Sequence, residues 1–329
     1  MPAELRHASR GEAVRDLQAR LVALGHDIGP DDPGDFGDGT AAAVRAFQAA
    51  RRLRVDGIVG RQTWNTLVES GFALGDRLLY FRRPMLRGDD VAGLQRRLNA
   101  LGFDASREDG ILGAETYEAL VEFQRASGLR PDGICGSTTL AALERVGSFA
   151  DGSAASIRER ERLLAGPRHL AGRRVYVAAA PGLGALAEQV AKTLVDAGAD
   201  AVLDSSGEDD AVIADEANRF GADLFLTLRT GDALCRCAYF STGDFRSEAG
   251  FAIATAIHDA LAPILPTDAG VCGRAYGALR ETHMTAVVVD VVPDDDVEAM
   301  RTLVARAGDV GRAIVRGIQH AVEHPAIDD

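Results

Sequence analysis

A fifteen-residue segment, GEAVRDLQARLVALG at 11–25, returns as GDDVAGLQRRLNALG at 88–102. Two more segments return with it. AVRAFQ at 43–48 becomes ALVEFQ at 119–124, and VDGIVG at 55–60 becomes PDGICG at 131–136. The offset is 77 residues at the first segment and 76 at the last. A chain written this way folds one small unit twice, and that constrains its first half more than any composition does.

Each copy reads as three helices. Val14, Leu17, Leu21 and Leu24 make one apolar stripe, and Val91, Leu94, Leu98 and Leu101 match it. Gly25 and Gly102 stop the first helix. A second helix turns Phe47 or Phe123 inward. Asp56-Gly57 and Asp132-Gly133 are tight turns, and Thr63 and Thr139 stand near the start of a third, short helix. Trp64 and Leu67 anchor that helix in the first copy, Leu140 and Leu143 in the second. A polar stretch at 27–38, rich in Asp, Gly and Pro, reads as a flexible loop inserted in the first copy. It lacks the spacing of a calcium-binding EF-hand loop.

The G-x-x-V-x-x-L-Q-x-x-L-x-x-L-G opening, the F-Q pair and the D-G-I-x-G-x-x-T close resemble the peptidoglycan-binding type 1 domain. The resemblance covers residues 8–146, as repeats at 8–70 and 85–146. It implies a ligand surface involving Asp56, Gly57, Gly60 and Thr63, and Asp132, Gly133, Gly136 and Thr139. Most motif residues are scaffold, so two uses stay open: binding of glycan or stem peptide, or reuse of the scaffold for protein contact.

The formal charge of −13 argues against nonspecific binding to nucleic acid or anionic lipid, since both need a basic surface. No run of about 18 apolar residues predicts a membrane span. The first residues carry charge where an export signal needs an apolar core, which points to a cytoplasmic protein. Cys135, Cys235, Cys237 and Cys272 form no C-x-x-C pair. Cys235 and Cys237 are two apart in a predicted strand, share a face, and read as buried free thiols.

A small, polar linker follows at 147–156, then a short charged helix at 157–164 with its face to solvent; both lie in a connecting segment at 147–172. Beyond it, over 173–325, apolar strands alternate with amphipathic helices. Strands are predicted at 175–180, 199–203, 224–228, 235–240 and 286–292. Helices are predicted at 185–197, 211–220, 247–261 and 297–322. The alternation calls for a mainly parallel sheet with helices on both faces. PGLG at 181–184 is neither a G-x-G-x-x-G nor a P-loop, so nucleotide binding is not expected.

The order of these elements resembles the zinc-dependent N-acetylmuramoyl-L-alanine amidase domain (amidase type 3). The landmarks are the first strand running into Pro181-Gly182, the strand ADLFLTL at 222–228 and the strand TAVVVD at 285–290. The resemblance implies one zinc held by two histidines and a glutamate, with a second glutamate for catalysis. The metal would polarise the amide and lower the pKa of bound water towards about 7. In this chain the first histidine position holds Leu183 and the second holds Arg229. The glutamate-ligand segment is missing, Glu188 reads as a helix-surface residue, and the catalytic glutamate position holds Asp290. A guanidinium has no lone pair to give a metal. The expectation is therefore that the zinc site is lost, with no cofactor and no catalytic residue. Arg229 and Asp290 are expected to pair within about 4 Å, in a partly buried two-pronged contact. His258, His283, His320 and His324 have no metal-site spacing; of these only His283 falls near the expected pocket.

Two such repeats ahead of such a domain resemble the actinobacterial CwlM-type proteins, which also carry arginine and aspartate at the positions of Arg229 and Asp290. That resemblance implies a catalytically inactive, cytoplasmic regulator of peptidoglycan synthesis. Its partners would be a peptidoglycan fragment or precursor, or a peptidoglycan-biosynthetic enzyme. Regulators of that kind carry a phosphorylatable C-terminal tail, and this chain ends just past its last predicted helix, so switching by phosphorylation stays open. The competing readings are an active zinc amidase with unrecognised ligands, and a plain peptidoglycan-binding module with the second half as spacer.

Overall fold

The computed structural model describes residues 4–146, 159, 166–231, 234–242, 245–265, 270–294 and 296–324. The predicted linker at 147–156 lies outside them, as does the predicted helix at 157–164 except for Glu159. The chain divides into two compact units, Met1–Ala155 and Ser156–Asp329.

The first unit holds the duplication. One repeat comprises α1 (Glu12–Ala23), α2 (Asp38–Ala50) and α3 (Arg61–Glu69); the other comprises α4 (Asp89–Ala100), α5 (Ala114–Ala126) and α6 (Ser137–Val146). Two short strands, β1 (Leu79–Tyr80) and β2 (Ile134–Cys135), pair antiparallel in the second repeat; two residues each give too little pattern to read from sequence. Each repeat has its own core. Val14, Leu17, Leu21 and Phe47 fill one, and Val91, Leu94, Leu98 and Phe123 fill the other. The apolar period of 3.6 therefore puts the stripes where helices must bury them.

The stretch at 27–38 is neither an insertion nor a slack loop. It belongs to a connection, 24–37, whose counterpart at 101–113 is one residue shorter. The Asp31 carboxylate accepts hydrogen bonds from the backbone N–H groups of Gly37, Gly39 and Thr40. Partial burial works against its charge, yet these donors prevail and hold its pKa below the ordinary carboxylate value. One of the aspartates that suggested flexibility, Asp31, is the group that ties the loop to the start of α2.

The second unit is an α/β domain. In chain order it runs β3 (Arg174–Ala179), α7 (Gly184–Asp196), β4 (Asp200–Asp204), α8 (Asp210–Phe220), β5 (Leu224–Gly231), β6 (Arg236–Phe240), α9 (Glu248–Leu261), β7 (Val271–Arg274), α10 (Gly277–Arg280), β8 (Thr285–Pro293), α11 (Val297–Ala305) and α12 (Ala307–Glu323). The sheet order is β4-β3-β5-β8-β6-β7. Its pairings are parallel except β6 with β8. Alternate residues of the central strands, among them Val177, Leu226, Leu228, Val287 and Val289, enter one core with α7, α9 and α12. The opposite side chains meet α8, where the Tyr176 ring stacks on Phe225 and lies beside Phe220.

Three expectations about this unit need correction. The segment at 297–322 is two helices, because the backbone leaves the helical region at Arg306 (φ −112°, ψ 14°). The turn lets α12 pack tightly on α9: a Cβ at Gly317 would lie 2.5 Å from the Cα of Ile257. Strand β7 and helix α10 were not anticipated; four residues each, interrupted by glycine, they show no usable period. Glu159, from the run expected to face solvent, is buried and accepts a hydrogen bond from the Ser247 hydroxyl at 2.9 Å. Cys235 and Cys237 are free and buried, as expected; Cys135 is also free and buried, and Cys272 is half-buried. Burial pushes the Cys237 thiol well above its usual pKa and the Cys235 thiol up to about 11.

Candidate functional site

The period of two decides which side chains meet at the rim of the sheet. Along β5, Leu224, Leu226 and Leu228 enter the helical core, so Phe225, Thr227 and Arg229 point the other way. Along β8, Val287, Val289 and Val291 enter that core, which leaves Asp290 on the same side as Arg229. Arg229 and Asp290 are register partners in the parallel ladder. Asp290 is also the register partner of Arg236 in the antiparallel ladder. The carboxylate therefore stands between two guanidiniums.

The distances bear this out. Arg229 Nε lies 3.8 Å from Asp290 Oδ1, and Arg236 Nη1 lies 3.9 Å from Asp290 Oδ2. The Asp290 side chain is 5% exposed and that of Arg236 13%, so most of the opposing charge is held away from water. Arg229 also faces Asp210 at 3.6 Å, and its guanidinium lies 4.4 Å from the centre of the Tyr276 ring. Burial, then the Asp290 charge, raises the pKa of the Tyr276 hydroxyl. Asp210 accepts a hydrogen bond from the Ala278 N–H at 3.0 Å, tying α10 to the start of α8. The expected approach within about 4 Å is met. The two-pronged contact is not: 3.8 Å is an ion-pair distance, because Arg229 divides its charge between two acids and a ring.

The local backbone serves this arrangement. The β5–β8 register shifts between Arg229 and Thr230. Beyond the shift Gly231 passes close to the acid, and a Cβ there would lie 2.9 Å from the Asp290 side chain. Arg236 is the member that sequence reasoning missed. Its only local signal was its position between two core-facing cysteines, which sets it on the opposite face of β6.

Leu183 does not join this cluster. It is 2% exposed and packed in the core with Leu186 and Val190 of α7. Glu188 is exposed on α7, as expected, and His283 is exposed, its backbone N–H donating to Asn218 Oδ1. Among the described residues no group of three or more His, Cys, Asp or Glu side chains is arranged to hold a metal ion.

In the repeats, the motif residues form an internal clasp. Gln48 Nε2 donates to Asp56 Oδ1, the Ile58 carbonyl and Thr63 Oγ1, while its Oε1 accepts from the Gly57 N–H. Gln124 repeats this with Asp132, Ile134, Thr139 and Gly133. Gln18 and Gln95 form the same clasp one helix earlier, around Gly34 and Gly110 and with Thr40 and Thr116. One buried glutamine per helix pair thus satisfies the turn that follows. Asp56, Thr63, Asp132 and Thr139 spend polar atoms inside the fold. Gly60 caps α3 and Gly136 stands just before α6. The Asp132 pKa is lowered, first by the Ile134 N–H and then by the Gln124 amide. The recurring Gln, Gly and Thr were the available signal for all four clasps.

Residues 10–67 and 87–143 match the peptidoglycan binding domain family PG_binding_1. The chain is 35% identical over 332 residues to the N-acetylmuramoyl-L-alanine amidase CwlM of Mycobacterium tuberculosis, covering 87% of this chain and 81% of that one. It is 31% identical over 163 residues to the amidase CwlL of Bacillus licheniformis, covering 43% of this chain and 45% of CwlL. Among solved structures, the catalytic domain of the amidase CwlV from Bacillus (Paenibacillus) polymyxa var. colistinus matches 46% of this chain and 98% of its own length, at 20% identity and a TM-score of 0.40. Two peptidoglycan-binding repeats, an amidase-like α/β domain and this degree of identity along most of the sequence lead to one conclusion: the chain belongs to the CwlM-type family of amidase-related proteins.

Proposed function

We propose that the amidase-like domain is non-hydrolytic and holds no zinc, and that the protein is a cytoplasmic regulator of peptidoglycan synthesis. It works by binding a peptidoglycan fragment or precursor, or a biosynthetic enzyme. One observation carries this: Asp290, which the amidase resemblance sets at the catalytic glutamate position, stands between Arg229 and Arg236.

The donor set does not fit the metal. Zinc binding needs lone pairs from imidazole, thiolate or carboxylate. Asp290 is engaged by two cations, and Leu183 offers none. Two unit charges 4 Å apart interact by about 4 kcal/mol at an effective dielectric near 20, so a dication beside one guanidinium meets about 8 kcal/mol of repulsion. A structural zinc gains about 10–16 kcal/mol from a complete ligand set, and one shared carboxylate cannot supply that. The arginines instead leave the acid neutralised without a metal.

The relatives are named as amidases, which favours hydrolysis as the second reading. One experiment separates the two. The purified protein is quantified for zinc and incubated with muropeptides, and stem-peptide release is followed by mass spectrometry. The expected result is substoichiometric zinc and no release. Stoichiometric zinc together with release would establish the amidase and end this proposal.

A further inference from the structure

The two repeats share a fold but not a surface. In the second, Leu78, Tyr80, Phe81, Tyr117 and Ile134 are 37–58% exposed, an unusual concentration of large apolar side chains. They are linked. Tyr80 pairs with Ile134 across the β1–β2 ladder, and the Phe81 and Tyr117 rings lie 5.9 Å apart. The motif glycines make room for them. A Cβ at Gly133 would lie 2.1 Å from the Tyr117 ring, and one at Gly136 would lie 3.1 Å from Leu78.

The first repeat serves as an internal control. Leu5 pairs with Val59 as Leu79 pairs with Cys135, so Arg6 and His7 stand where Tyr80 and Phe81 stand. Thr40 and Thr116 occupy the same place in their clasps, so buried Ala41 replaces Tyr117. Gly57 meets an arginine guanidinium rather than a ring, and Gly60 meets nothing within 4 Å. Beside the aromatic face stand Arg82 and Arg83, both exposed, with no ion pair or hydrogen bond to any described residue, in a chain of net charge −13.

We propose that this face of the second repeat is the docking surface for a peptidoglycan glycan fragment, and that the first repeat lacks one. The apolar C–H faces of N-acetylated sugar rings pack on Tyr80, Phe81 and Tyr117, and carboxylates of the attached peptide pair with Arg82 and Arg83. Aromatic rings alone would suit many apolar partners. Rings beside two unpaired guanidiniums suit a ligand that alternates flat C–H faces with free carboxylates. This rests on the fragment-binding part of the function proposed above.

Calorimetric titration of the full chain tests it, using a disaccharide-tetrapeptide muropeptide and the uncharged sugar chitotetraose as probes. Tyr80→Ala with Phe81→Ala should weaken both by about tenfold or more. Arg82→Ala with Arg83→Ala should weaken the muropeptide alone, and Arg6→Ala with His7→Ala should change neither. All six side chains are exposed, so unchanged thermal melting confirms folding. If the wild type binds and the aromatic variant binds equally well, or the first-repeat variant loses binding, this assignment fails while fragment binding stands. If the wild type binds neither probe, both fail. A dimer that the aromatic variant turns into a monomer, seen by sedimentation, would make the face a self-interface and overturn the assignment.

Discussion

Arg229 and Asp290 are partners across the β5–β8 ladder, with Nε 3.8 Å from Oδ1, and the acid has a second arginine, Arg236, on its other flank. The two arginines are therefore not equivalent to the acid. Asp290→Ala leaves two guanidiniums facing each other in a largely buried place. It should lower stability by about 3 kcal/mol, as removing one partner of a buried pair does. Arg229→Met leaves Asp290 with Arg236 and should cost clearly less. Urea denaturation of the two variants gives the order, and equal costs would show that Arg236 does not hold the acid.

Placing histidines at the positions that the amidase resemblance assigns to metal ligands should not create a zinc site. Leu183 is a core side chain, so Leu183→His buries an imidazole among leucines and should cost about 2–4 kcal/mol. Combined with Arg229→His, it should still bind zinc substoichiometrically, because Arg236 keeps its hold on Asp290. Equilibrium dialysis against zinc reads this directly.

The turn glycines should rank by what a methyl group meets. Gly57 and Gly133 both have positive φ, 76° and 68°, so alanine costs about 1 kcal/mol at either. At Gly133 the new carbon also strikes the Tyr117 ring, whereas at Gly57 it meets the movable end of Arg45. Gly133→Ala should be worse by about 1–3 kcal/mol, and adding Tyr117→Ala should recover that difference but not the backbone part. Thermal melts of the three variants check it.

Loss of a clasp should be more costly than loss of an ordinary surface bond. Gln124→Leu strands the Gly133 N–H and takes one donor from the Ile134 carbonyl and from the Thr139 hydroxyl, which still bond to each other. The expected cost is about 2–4 kcal/mol. Amide exchange should show it first at Gly133.

The same turn makes the second repeat acid-sensitive. The folded pKa of Asp132 is depressed below its unfolded value of 3.8, so its contribution is present above that value and is lost as the pH falls through the folded pKa. Stability should drop between about pH 5 and pH 3, and less steeply in Asp132→Asn. Melting temperatures across that range decide the matter; parallel curves would assign the acid sensitivity elsewhere.

Much of this was readable from local pattern. The duplication, the helical stripes and the alternation of strands and helices each depend on residues within one turn or one strand, where the periods of 3.6 and 2 act. The period of two also sets Arg229 and Asp290 on one face of the sheet, and their approach was anticipated. The rest belongs to contacts between distant segments. Nothing local says that β6 runs antiparallel beside β8, and so brings Arg236 to the far side of Asp290. Nor does it say that glutamines on four helices close the next turn, or that the Phe81 and Tyr117 rings, far apart in the chain, come within 5.9 Å. Sequence alone determined most of the longer elements and which of their side chains share a face. Tertiary structure decided which faces meet, because register and packing are chosen by the whole core at once.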